Sequence, residues 1–363
     1  EAIPLAATAL LPLALFPLLK IASASETAVS YGEEMILLFL GGFLVALAIE
    51  NSGLHRRVAL HIVNVMGDNP RLIVLGFMLA TGLLSMWLSN TATTLMLLPI
   101  ASSVMLQADR AQAARGGAPH GFGVAVMLGI AYASSVGGMS TLIGTPPNIF
   151  FRGFYKDTYP ELPEITFGGW MLLAVPLALA FGLVIWLTLV RIFRVDRAPI
   201  LGGRSVIAAE LAALGKMQPA EWRMAIIFAA TALLWIFREP IGGWGWAPAL
   251  GLNASIRPVL GAETAVQLLG GLTAATASVA GGAKVGWVDD STVAIAMAVL
   301  CFVLPSGGKV RRPLLTWECT ARVPWGILLL FGGGMALATG MEASGLSRHL
   351  GDELAAALNG LPE

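Results

Sequence analysis

The chain has 363 residues, 56% of them hydrophobic and only 12% charged, with no net charge. Soluble domains carry about 25% charged residues, so this composition suits lipid as its main solvent. Zero net charge gives no support to nucleic-acid binding. Two cysteines without CxxC spacing and four scattered histidines argue against a disulfide framework or a metal cluster.

The first apolar stretch, 2–19, contains Pro4, Pro12 and Pro17 and lacks the basic start and cleavage site of a signal peptide. Further apolar stretches follow at 35–54, 71–106, 121–151, 167–190, 222–237, 291–305 and 324–342. A span needs about 20 residues. The stretch 71–106 is too long for one span and is interrupted at Ser89, Asn90 and Thr91. It reads as two half-helices. The stretch 121–151 is interrupted by Gly137-Gly138 and by Gly144-Thr145-Pro146-Pro147-Asn148, which predicts an unwound segment over 137–149. The region 238–290 is rich in Gly, Ala and Trp and reads mostly as an external loop, with a short span over 264–282 as the alternative.

Most of the Lys and Arg residues fall in loops 55–71, 107–120, 191–223 and 307–322, whereas 20–34 and 152–164 are acid-rich. Basic loops stay in the cytoplasm. Loops 55–71 and 107–120 are then both inside, yet 71–106 separates them. That segment is expected to be a re-entrant hairpin with Ser89-Asn90-Thr91 at its deep tip. Two short complete spans are the plainer alternative.

Residues 36–56 align without gaps on 328–348, sharing a GG…E-x-S-G-L-x-R frame from Gly41, Gly42 and Glu50 to Gly333, Gly334 and Glu342. Loop charges give the two copies opposite directions, the inverted-topology repeat of secondary transporters. Glu50 and Glu342 sit at helix exits and read as interfacial or capping groups. The expected organisation is a first repeat over 1–190, a cytoplasmic linker over 191–221 and a second repeat over 222–363. The fold class is all-α, polytopic and membrane-embedded.

The interruptions carry the chemistry. Ser85 and Ser89 are four apart and share a helix face. Hydroxyls, the Asn90 amide and carbonyls freed by a helix break, with Gly138 and Gly144 allowing close approach, form a neutral oxygen set suited to Na⁺. Thr91 or Asn90 is expected to cap the second half-helix, whose dipole suits an anion. Isolated Ser and Thr in membrane helices usually just bond back to their own helix, but here they cluster. No Arg is visible in the expected pocket.

The Ser-Asn-Thr triplet, the Gly-Thr-Pro-Pro-Asn segment and PWGILLLFGGGMALA at 324–338 resemble the divalent anion/sodium symporter family. The resemblance implies Na⁺-coupled transport of a dicarboxylate, citrate or sulfate across the inner membrane. It implies no enzymatic cofactor, an elevator-type transport domain moving on a static scaffold, and a homodimer. It implies a Na⁺ site at Ser85, Ser89 and Asn90, with backbone near Gly138 and Gly144. Substrate contacts are expected from Ser89, Asn90, Thr91, Thr145, Pro146 and Asn148. Family members carry a second Ser-Asn-Thr hairpin, which the repeat spacing places at roughly position 381, so the chain reads as a fragment that alone does not transport. An Na⁺-independent exchanger, a relative handling another ion, a channel and an intramembrane enzyme are the competing readings. The enzyme lacks a nucleophile or metal cluster at membrane depth.

Overall fold

The structure is a computed structural model. It describes residues 3–114, 121–159, 162–195, 203–239, 245–252, 287–307 and 312–358. The 264–282 span and most of the expected external loop lie outside them. Helices dominate the described residues, with one isolated bridge between Pro305 and Pro313.

The N-terminal stretch forms short helices rather than one span: α1 (Leu5–Thr8), α2 (Leu11–Leu18) and α3 (Ala24–Val29). Pro12 opens α2, and Ser23 caps α3 by accepting from the Glu26 N–H. Then come α4 (Glu34–Ser52), α5 (Leu54–Val65), α6 (Pro70–Ser85) and α7 (Asn90–Ala114). Next are α8 (Phe122–Gly138), α9 (Pro146–Thr158), α10 (Phe167–Ile192), α11 (Gly203–Ala213) and α12 (Pro219–Ile236). After α13 (Trp246–Ala249) the described helices are α14 (Asp290–Val303), α15 (Trp325–Ala343) and α16 (Leu346–Leu358). Five described stretches are long and apolar enough to cross a membrane, those ending at Ser52, Arg110, Ile192, Ile236 and Ala343.

The second half of the interrupted stretch is longer than expected. It continues past 106 to Ala114, because 107–114 is a run of Gln, Ala, Asp and Arg that includes good helix formers. The linker 191–221 also holds a helix, α11.

The two repeat copies share one local shape. Helix α4 ends at Gly53, whose φ of 79° only glycine adopts readily, and α5 follows at once. Helix α15 is followed by Gly345 with φ of 73° and then α16. The long helices pack antiparallel. Tyr31, before α4, lies against Gly332; Phe39 stacks on Phe331 at 5.4 Å; Asn51, at the far end, reaches Cys319 and Arg322. The repeated glycines serve close packing, Gly41 against Ala294 of α14 and Gly333 against Ala9.

Contacts sort the loops into the two groups that the charges suggest. On the basic side, Arg56 pairs with Glu210 at 2.7 Å and Arg57 with Glu221 at 2.7 Å. Arg57 also donates to the carbonyls of Leu214, Gly215 and Lys216, and Arg71 to that of Val195. On the acidic side, Lys156 pairs with Glu34 at 2.5 Å and Arg152 with Glu164 at 2.5 Å. Burial raises the Glu164 carboxyl, but the Arg152 guanidinium outweighs it and holds the group below the usual carboxylate range.

Asp290, 1% exposed, sits between Arg152 of α9 at 3.2 Å and Arg238 beyond α12 at 2.7 Å. Removing one partner of a buried ion network leaves uncompensated charge and costs about 3–5 kcal/mol. Asp290→Ala takes the shared carboxylate from two buried guanidinium groups, leaving Arg152 with Glu164 and Arg238 with Glu239, and should lower the thermal unfolding midpoint, with Asp290→Asn milder. Equal midpoints for wild type and Asp290→Ala in detergent would show that the network adds nothing.

Candidate functional site

Helices α6 and α8 run side by side in the same direction, with Met78 against Gly129 and Gly82 against Gly137. A Cβ on Gly137 would lie 2.6 Å from the Gly82 Cα, so only glycine permits this approach. The contact brings the end of α6 to the end of α8, where both chains leave helical geometry. Residues 86–89 join α6 to α7, and residues 139–145 join α8 to α9. The second gap is narrower than 137–149. Pro146 and Pro147 do not disrupt a helix there but start one, at first-turn positions where a missing N–H costs little.

Ser85 is fully buried, and its hydroxyl lies 2.5 Å from Asn90 Oδ1 and 2.7 Å from the Ser134 carbonyl. A hydroxyl has one proton, so only one of these oxygens receives it. Turning the Asn90 amide over would make it a donor to Ser85. A cation bound there would favour the oxygen-inward orientation. Gly138 lies beside the Asn90 amide, where a Cβ would come 2.7 Å from Oδ1. Gly144 packs against Gly138 and the Met86 carbonyl. Four predicted cation residues, Ser85, Asn90, Gly138 and Gly144, are therefore neighbours.

The predicted anion residues divide differently. Ser89, Asn90, Thr91, Gly144, Thr145 and Pro146 line a cavity of about 420 Å³ between the two gaps and α4. Helices α7 and α9 both begin on its wall, which turns two positive dipole ends toward it. Asn148 is not on that wall. It is buried, and its amide donates to the carbonyls of Gly138 at 3.0 Å and Thr141 at 2.7 Å. The cap also differs from expectation: neither Thr91 nor Asn90 but Ser89 accepts the Ala92 N–H, at 3.1 Å. Ser89 sits one residue before the helix, where a side-chain oxygen can reach the first turn.

Several residues escaped the sequence reading. The Thr141 hydroxyl donates to the Met86 carbonyl across the two gaps and accepts the Gly144 N–H at 3.1 Å. Thr93, buried one turn beyond Asn90, has a hydroxyl with no hydrogen-bond partner among the described residues. Trp87 fixes the tip by stacking near Phe167 and Trp235 and meeting Phe228 edge-on at 5.0 Å. Arg322 does line the cavity, contrary to the expectation of no arginine there. Glu50 also lines it, 3.6 Å from Arg322, a position that the expected interfacial or capping role did not include. Only contact between the end of α4 and a segment far off in sequence reveals this pair. Nearby, the Cys319 thiol is drawn below its usual range by the Thr316 hydroxyl, against a small upward push from burial, with Asn51 and Arg322 adding to the lowering.

Residues 1–362 match the family described as the sodium:sulfate symporter transmembrane region. The chain belongs to that family. With its apolar helices, this makes it a multi-pass membrane protein of a transporter family. A relative from Staphylococcus saprophyticus, the sodium-dependent dicarboxylate transporter SdcS, is 37% identical over 98% of this chain and 62% of its own length. Relatives of the same name from Staphylococcus aureus strains RF122 / ET3-1 and MSSA476 are 38% identical over 99% of this chain and 62% of theirs. The chain thus spans 62% of the length of these curated relatives.

The meeting of the two gaps depends on the α6–α8 contact. Gly137→Ala should overpack it at a cost of about 1–3 kcal/mol. Gly334→Ala faces open space and should be neutral or better. Thermal unfolding of both variants checks the contrast, and equal midpoints would rule out the contact as a constraint.

Proposed function

We propose that the chain carries the first half of a Na⁺-coupled site for a small divalent anion, with a dicarboxylate favoured by the names of its relatives. The observation that carries this reading is the double role of Asn90. Its amide faces a buried cluster of neutral oxygens, and the residue is also part of the cavity wall.

The donor set suits Na⁺. Ser85, Asn90 and the carbonyls of Ser134 and Gly138 are neutral, and the unpartnered Thr93 hydroxyl is a further oxygen on the same helix. Neutral oxygens bind a monovalent cation without leaving a fixed charge when it departs, and fixed charge at membrane depth is costly. The anion would sit against Ser89, Asn90 and Thr91, with Thr145 opposite. Pro146 and Pro147 supply no N–H, so donors come chiefly from the α7 side. Adjacent cation and anion stabilise each other, which is the physical basis of coupling.

The arrangement also supports a re-entrant hairpin. The tip lies level with the end of α8, and α9 continues for 13 residues, about 20 Å, before its end pairs with Glu34 on the acidic side. We read residues 1–190 as the first repeat, 191–221 as a cytoplasmic linker and 222 onward as the second. In this reading α6–α10 move against α4, α14 and α15, in a homodimer of the bacterial inner membrane. No step calls for an enzymatic cofactor.

Asn90→Ala in the full-length protein should abolish Na⁺-dependent dicarboxylate uptake while leaving surface expression intact. Wild-type uptake that persists without Na⁺ would defeat the coupling. Arg322 should matter for the anion alone. A charged cleft raises local ligand concentration by about tenfold or more, so Arg322→Gln should raise the substrate KM about tenfold and spare the Na⁺ dependence. Unchanged KM in vesicles with the basic side outward would remove Arg322 from the anion's path.

A further inference from the structure

Where α6 begins and α10 ends, a second cavity of about 350 Å³ opens on the basic side of the molecule. Its wall includes Asn69, Arg71, Leu72, Trp186, Val190 and Arg191, and no carboxylate is among its lining residues. Two arginines therefore line a cleft whose wall includes no acidic residue.

Each is placed by local structure. Arg71 Nε donates to the Val195 carbonyl at 2.9 Å, which fixes the side chain and leaves its terminal amino groups without a hydrogen bond among the described residues. Arg191 lies in the last turn of α10 and has no side-chain ion pair or hydrogen bond among the described residues. Trp186 donates its indole N–H to the Arg71 carbonyl at 2.8 Å, which sets its ring into the wall. A tryptophan anchored in this way belongs at the boundary between hydrocarbon and headgroups.

Away from the cleft, α10 is among the least covered of the long helices. Leu173 is 76% exposed, and Leu172, Leu177, Leu183 and Val184 are also exposed. The cleft joins this apolar surface through Leu187. Guanidinium groups bind phosphate through paired hydrogen bonds. The cytoplasmic leaflet is anionic, and basic pockets between helices on that side suit anionic headgroups.

We propose that this cleft binds the phosphate of an anionic phospholipid, held by Arg71 and Arg191, with its acyl chains along α10. A free phosphate would share the two arginines but would gain nothing from the apolar wall. The lipid would pin the root of the hairpin to the end of α10.

The test uses the full-length protein in nanodiscs of phosphatidylcholine, with or without phosphatidylglycerol. Bound lipid is read by native mass spectrometry and stability by thermal unfolding. Phosphatidylglycerol should be retained and should raise the midpoint. Arg191→Gln should cut its retention about fivefold, the worth of one basic residue at an anionic surface. Arg191→Lys should lose less. Arg194→Gln, three residues on but outside the cleft, should behave as wild type. Equal retention by the Arg191→Gln and Arg194→Gln variants overturns the proposal. So does equal stabilisation by inorganic phosphate in phosphatidylcholine alone, which would make this a free-oxyanion site. Neither readout involves transport, so failure here leaves the coupling proposal standing.

Discussion

Unpaired backbone groups are costly at membrane depth, so the two interruptions in this chain are tolerated because they lie side by side. Non-helical backbone survives there only when buried in protein or lining a polar cavity. Here some bonds join the two segments and others stay within one gap. Thr141 donates to the Met86 carbonyl, Ser85 reaches the Ser134 carbonyl, and Asn148 holds the carbonyls of Gly138 and Thr141. The Thr141 and Ser85 bonds require the helix ends to meet, and that requires Gly82 and Gly137 to touch. The chemistry follows from this geometry. The Ser85 hydroxyl faces two oxygens with one proton, a shortage that a cation would relieve in the proposed reading.

The tip is also tied to the rest of the molecule. Trp87 stacks near Trp235, the Trp235 indole donates to the Asp290 carbonyl, and the Asp290 carboxylate meets Arg152 of α9. Helix α9 begins at the second gap, so the path returns to the site from the other side. A circuit of packed rings and buried ions does not deform gradually, because interiors are packed too densely for smooth sliding. Any change in the depth of the tip must exchange the whole set of contacts at once. Lys156 with Glu34 and Arg152 with Asp290 both join α9 to helices that carry no part of the triplet.

Much of this was legible in the sequence because its signals are local. Gly-Thr-Pro-Pro marks a gap wherever it folds, and a Ser-Asn-Thr cluster inside an apolar run marks another. The repeat was visible because Glu-x-Ser-Gly-Leu-x-Arg encodes a left-handed turn at Gly53 and again at Gly345. The errors were of two kinds. One concerned position by a residue or two: Ser89 rather than Asn90 or Thr91 caps α7, since the cap precedes the first helical residue. The other concerned contacts between distant segments. Glu50 and Arg322 are 272 positions apart by their numbers, and only the antiparallel packing of α4 and α15 joins them. Asn148 lay close in sequence to true cavity residues, but its amide is consumed by carbonyls of the gap.

The placement of charge then separates attraction from binding. Arg322 and Glu50 stand at the wall of the cavity, with half of the Arg322 side chain exposed. At 3.6 Å and in contact with solvent, such a pair is worth little, so an incoming anion can displace the carboxylate from the guanidinium at small cost. Deeper in, every predicted donor is neutral. A fixed carboxylate beside Na⁺ would hold it more tightly, but it would also stand unpaired once the ion left, where desolvation is most costly. A site that must be emptied on each cycle is better served by Ser85, Asn90 and backbone oxygens, which can pair with one another when the ion is gone. If the chain works as proposed, charges at the cavity wall and dipoles in the depth are two answers to one requirement: to attract a charged ligand and still let it go.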